Sequence, residues 1–136
     1  MNLFIYGTLL VPRIWNAVTA HPSPESIPAT LSGYQIFRVL RGDFPAIVSD
    51  QTATIAVPGR LILNVPPTVL HRLDQYEGDF YERVIVEVDA EDAPIIAQTY
   101  RIPAKIASEI LSAETWTLEW FEREALNRYW NRIFCG

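Results

Sequence analysis

Short apolar runs, broken at glycine, proline or acidic residues, dominate the chain, and helix-spaced apolar positions are confined to a few stretches. Leu3-Phe4-Ile5-Tyr6 stops at Gly7, the pattern of a buried strand entering a turn. Leu10, Ile14 and Val18 recur at helical spacing over Leu10 to Ala20, with Pro12 tolerable only near the start, and His21-Pro22-Ser23-Pro24 ends that helix. Ala29 to Val39 alternates as one or two strands. Phe44-Pro45-Ala46-Ile47-Val48 follows the Arg41-Gly42-Asp43 turn. Ile55 to Val65 is strand-like, with Pro58 fitting an edge, a bulge or a sharp bend. Beyond Pro66, Leu70, Leu73 and Tyr76 share one helical face, and Gly78 is placed to end the helix in a left-handed conformation, with Glu77 at its C-terminus. Arg83 to Asp89 is the clearest strand, and Ile95 to Arg101 its hairpin partner across the acidic turn Ala90 to Ala93. Thr117 reads as an N-cap, Trp116 and Phe121 as a hydrophobic staple, and Leu118, Phe121, Ala125 and Tyr129 as the apolar stripe of a last helix. The sum predicts an α+β fold, a small mixed β-barrel with flanking short helices.

The 136 residues fit a single domain, 1–136, able to bury roughly two-thirds of its unfolded surface. The net charge of −5 argues against nucleic acid as a partner, because phosphate binding needs a basic patch. Arg123, Arg128 and Arg132 alternate with Glu119, Glu122 and Glu124, which reads as a solvated helix face. A lone Cys135 forms no internal disulfide, and with only His21 and His71 beside it a His/Cys zinc site is not expected. The N-terminus lacks a basic n-region and reads as a first strand, and no apolar stretch reaches the ~20 residues of a membrane span. The expectation is a soluble cytoplasmic protein without membrane contact.

Two segments offer chemistry. Tyr6-Gly7-Thr8-Leu9 ends a strand at a glycine, where successive N–H groups can form a nest for a carboxylate or an oxyanion and Gly7 lets the backbone approach a ligand. Glu77 stands among equally acidic Asp74, Asp79, Glu82 and Glu87, but with Asp74 on its helical face and Tyr76 and Phe80 around it. A like charge, apolar burial and the negative helix end all raise a carboxylate's pKa, which makes it a better acceptor of a proton from an amine. Thr8 reads as loop-shaping, His71 as structural or exposed, and Cys135 as too near a chain end for a nucleophile.

In order along the chain, Tyr6-Gly7-Thr8-Leu9, the Phe44-Pro45-Ala46 element and Leu73-Asp74-Gln75-Tyr76-Glu77-Gly78, with Tyr81 and Arg83 just after, resemble the gamma-glutamylcyclotransferase-like family. The match is nearer to its branch of gamma-glutamylamine cyclotransferases and plant avirulence-induced proteins. The resemblance implies a small barrel with a pocket between the first-strand loop and a catalytic glutamate. Glu77 would be the general base and Tyr6 to Leu9 the substrate loop, with Tyr81 and Tyr100 supporting the pocket by a looser match. It implies release of 5-oxoproline from a small γ-glutamyl compound without metal or organic cofactor. A non-catalytic binding module and a pathway-specific γ-glutamyl-removing lyase remain alternatives on the same scaffold.

Overall fold

The computed structural model describes residues 1–135. Strands β1 (Leu3–Ile5), β2 (Ile27–Leu31), β5 (Val57–Ile62), β6 (Glu82–Ala90) and β7 (Ala93–Arg101) close a barrel in the order β1-β5-β2-β6-β7. Neighbours are antiparallel except where β1 meets β7 in parallel at Leu3 and Gln98. Strands β3 (Tyr34–Arg38) and β4 (Pro45–Ser49) form a separate two-stranded ribbon. The run Ala29 to Val39 is thus split, at Gly33 with φ +80°, between two sheets. The expected mixed α+β barrel is present.

The pleat of β1 explains why a run of three residues is buried on both faces. Leu3 and Ile5 point outward into a core shared with the helices, while Phe4 points into the barrel beside Leu61, Val57 and Val88. Gly59 lies where β5 passes β1, and a Cβ there would sit 2.3 Å from the Ile5 carbonyl oxygen and 2.7 Å from the Phe4 ring. Pro58 pairs only with Thr30 of β2, because the β1 register begins at Arg60, so its missing N–H falls where β5 has a free edge. The β6–β7 hairpin turns at Glu91 and Asp92, with φ +52° and +61°, the two positive values of a type I′ turn.

Helix α1 (Pro12–Thr19) stops at left-handed Ala20 and packs on α2 (Pro67–Glu77), whose Arg72 donates to the Thr19 carbonyl at 2.5 Å. Gly78 has a positive φ of 81° but a ψ of −170°, so the chain leaves α2 extended, not in the left-handed helical conformation expected of it. Helix α3 (Ala104–Ile110), which the apolar pattern does not announce, buries no residue and lies against the ribbon.

The last helix begins as α4 (Leu118–Trp120), capped by Thr117, whose hydroxyl accepts from the Trp120 N–H at 3.1 Å. It passes through a π turn, Phe121–Ala125, and continues as α5 (Leu126–Phe134). Trp116 packs on Phe121 with ring centroids 5.6 Å apart, as a staple would. The arginines here are not simply solvated. Arg128 forks the carboxylate of buried Asp43 at 2.7 and 2.9 Å, and Arg132 stands 3.9 Å from it. That fork, with the Trp116 indole N–H on the Asp43 carbonyl at 2.8 Å, fastens the last helix to the β3–β4 ribbon. Among the described residues no helix is long and apolar enough to cross a membrane.

Candidate active site

Where β1 ends, the chain makes a 3₁₀ turn at Thr8–Leu10, and the N–H groups of Gly7, Thr8 and Leu9 find no protein acceptor among the described residues. These are the donors a helical start leaves open. Gly7 has φ −119°, so no unusual backbone conformation demands glycine there; instead a Cβ would meet the Pro45 ring at 2.9 Å. The close approach expected of Gly7 is therefore made to Pro45 of the ribbon.

The turn faces the C-terminal end of α2 across a cavity of about 180 Å³. Tyr6, Gly7, Thr8, Leu9, Glu77, Tyr81 and Tyr100 all line it, so the fold gathers every candidate residue named from the sequence. Phe80 is the exception among the expected neighbours of Glu77: it is 64% exposed and turned away from the cavity. The extended backbone at Gly78 redirects the chain, and Tyr81 takes the place beside Glu77.

Glu77 is half-buried, and no donor among the described residues bonds its carboxylate. Loss of water around it, and secondly the negative charge of Asp74, push its pKa up to about 8. Asp74 itself is well satisfied. Arg83 forks it at 2.9 and 3.1 Å, and the Tyr100 hydroxyl donates to it at 2.6 Å. Like charge thus stands behind Glu77 but is tied into another network, leaving Glu77 as the unpaired carboxylate on the cavity.

The tyrosine hydroxyls hold walls together. Tyr6 donates to the Tyr100 carbonyl at 2.7 Å, joining β1 to β7, and Tyr81 donates to the Pro45 carbonyl at 2.7 Å, joining the β6 approach to the ribbon. Burial raises the pKa of both phenols, and the charge of Glu77 adds to it, so both stay protonated. On the opposite wall the Thr8 hydroxyl meets that of Tyr76 at 2.8 Å, and Tyr76 in turn bonds the Tyr129 hydroxyl. Tyr76, expected beside Glu77, lines the cavity together with Tyr129, Phe44, Pro45 and Ile133, which local pattern did not identify as site residues. Tyr76 and Tyr129 carry one available signal: each is a tyrosine on an otherwise apolar helical face, and a buried hydroxyl requires a partner. Among the described residues, no three His, Cys, Asp or Glu side chains gather to hold a metal ion.

Comparison with known proteins agrees with this architecture. The family model described as gamma-glutamyl cyclotransferase, AIG2-like, matches residues 3–118. AIG2-like protein A of Arabidopsis thaliana is 37% identical over 91 residues, which cover 67% of this chain and 53% of that protein. The chain spans about half the length of the curated relatives it matches. An Arabidopsis thaliana protein solved in solution superposes with a TM-score of 0.69 at 31% identity, over 96% of this chain and 86% of that one. A solved gamma-glutamyl cyclotransferase shares the fold with a TM-score of 0.63 at 17% identity, over 75% of this chain and 66% of its own. The model's span takes in both the Tyr6–Leu9 turn and Glu77, and on that extent of match the chain belongs to the gamma-glutamyl cyclotransferase, AIG2-like family.

Proposed function

We propose that the protein cyclises the γ-glutamyl group of a γ-glutamyl amine or amino acid to 5-oxoproline and releases the amine, with Glu77 moving the protons. The observation that carries this reading is the unpaired Glu77 carboxylate, its pKa raised to about 8, facing the open N–H groups of Gly7, Thr8 and Leu9 across a small cavity. An α-ammonium group has an ordinary pKa of about 7.7–8.0. The free α-carboxylate of a γ-glutamyl compound lifts its ammonium above that range, so a Glu77 raised to about 8 accepts the proton at far smaller cost than an ordinary carboxylate and can still return it.

The freed α-amine attacks the δ-carbonyl of the same molecule, forming the ring C–N bond. The carbonyl oxygen becomes an oxyanion within reach of the turn's N–H donors. Collapse breaks the exocyclic C–N bond. The ring nitrogen gives up two protons in all and the departing nitrogen takes up two, so one carboxylate serves both ends. Because nucleophile and electrophile belong to one substrate, holding the folded-back conformer supplies much of the rate, and well-oriented intramolecular reactions gain roughly 7–11 kcal/mol. Tyr6, Tyr81 and Tyr100 shape the walls that impose that conformer.

Purified protein incubated with γ-glutamyl dipeptides and γ-glutamylamines should release 5-oxoproline. Glu77→Gln keeps the shape but accepts no proton, and should lower kcat by about 10²–10⁴-fold. Equal turnover by the two proteins would remove Glu77 from its role.

A further inference from the structure

The cavity at Glu77, about 180 Å³, is smaller than the ~300–1,000 Å³ of sites that enclose a drug-sized ligand. It has room for a glutamyl-sized group. Whatever amine is attached must therefore lie across the mouth, where two grooves each share two lining residues with the cavity, while a third, past Pro58 and Trp116, shares only the buried Tyr6.

One groove, of about 500 Å³, shares Tyr81 and Tyr100 with the cavity and continues past Asp74, Asp79, Arg83 and Gln98. Most of its polar side chains are engaged with one another, Asp79 being the one without a partner among the described residues. Arg83 holds both Asp74 and Gln98, and Tyr100 holds Asp74. The other, of about 340 Å³, shares Phe44 and Tyr81 with the cavity and continues past Leu40, Phe80, Ile102 and Ile110. Two of its apolar walls stand open to solvent: Leu40 is 52% and Phe80 64% exposed.

Both exposed side chains stand where the backbone changes direction. Phe80 follows the extended Gly78 that redirects the chain after Glu77. Leu40 stands on a turn fixed by its own N–H bond to the Ile110 carbonyl at 2.7 Å and by Arg41 with φ +63°. Arg41 and Glu109, one of each charge, also border this groove, so it carries no net preference for a charged group.

We infer that the groove leading from Phe44 and Tyr81 to Leu40 and Phe80 receives the leaving amine, and that this amine carries an apolar body, aromatic or branched aliphatic. The inference rests on the cyclisation reading above. The glutamyl group fills the cavity, and covering Leu40 and Phe80 supplies the affinity that a small cavity alone lacks.

The test compares kcat/KM for γ-glutamyl-glycine, γ-glutamyl-leucine, γ-glutamyl-phenylalanine and γ-glutamyl-lysine, the last joined through its α-amine. The wild-type protein should prefer the leucyl and phenylalanyl peptides to the glycyl one by about tenfold or more. Leu40→Ala and Phe80→Ala, both at exposed positions, should lower that ratio severalfold. If the glycyl peptide yields 5-oxoproline but the apolar ones gain nothing, the inference fails while the cyclisation reading stands. A preference for the lysyl peptide that Asp79→Asn abolishes would assign the amine to the polar groove and overturn it as well. If no peptide yields 5-oxoproline above the Glu77→Gln level, the cyclisation reading falls and the inference falls with it.

Discussion

Glu77 owes its character to what is missing around it. Asp74, one helical turn earlier, has a guanidinium and a phenol on its carboxylate, whereas Glu77 has neither and sits in a partly dry cavity. The same charge that Asp74 lends to its own network also raises the pKa of Glu77. Asp74→Asn removes that charge while keeping an acceptor for Tyr100, so the midpoint of the Glu77 carboxyl, followed by carbon-13 NMR, should move down from about 8. A midpoint that stays in place would leave burial as the whole cause. Tyr76 is a second residue defined by its partners, since its hydroxyl joins those of Thr8 and Tyr129. Tyr76→Phe leaves both without that partner and should cost about 1–3 kcal/mol by urea denaturation, while Tyr129→Phe, at the end of the chain of hydroxyls, should cost less. If Tyr76→Phe proves neutral, water or a shift of the last helix replaces the bond.

Among the elements, β1 and α2 were legible because each carries its own instructions. Leu3-Phe4-Ile5-Tyr6 ends at a glycine, and Leu70, Leu73 and Tyr76 recur at helical spacing, so the two segments that frame the cavity could be placed by local pattern. The β3–β4 ribbon could not. Pro45 reaches the site by packing on Gly7, and Phe44 by packing on Tyr129 with centroids 6.1 Å apart. Those contacts span far too much chain for a local pattern to register. Phe80 is misplaced by spacing for a related reason: a helical register carried past Gly78 puts it near Glu77, but the extended ψ there resets the direction. Charge alternation likewise hides the Arg128–Asp43 fork, because a buried carboxylate in a turn gives no periodic signal. The close passage of β5 over β1 is visible only in three dimensions, and it makes Gly59 the most demanding position in the barrel. Gly59→Ala forces a methyl against the Ile5 carbonyl and the Phe4 ring, and should cost ~3 kcal/mol or more, read as a lowered urea midpoint. Because β1 leads directly into the Tyr6–Leu9 turn, any surviving Gly59→Ala protein should also lose 5-oxoproline release.

At the scale of the whole molecule, two carboxylates make stability depend on pH in opposite senses. Asp43 has its pKa held below the ordinary range, first by its hydrogen bonds to Arg128. Its contribution is present above the unfolded carboxylate pKa and is lost as pH falls through the lower folded value. Glu77 is raised instead, to about 8 from 4.5. Between those values the folded protein holds a proton that the unfolded chain has released, so stability declines as pH rises from about 4.5 to about 8 and then levels. Between them these two groups favour the mildly acidic side of neutrality, below the pH at which Glu77 ionises and the proposed reaction runs best. The site is therefore bought with folding free energy, and removing its charge should return some of it. Glu77→Gln should melt roughly 5 °C above the wild type at pH 8, with the gap narrowing steadily toward pH 4.5. Asp43→Asn should do the reverse, melting below the wild type at pH 7 and converging with it in acid. Melting curves of the three proteins across pH 3.5 to 9 separate these limbs, and a gap between Glu77→Gln and wild type that does not change with pH would mean that Glu77 ionises with no penalty in the fold.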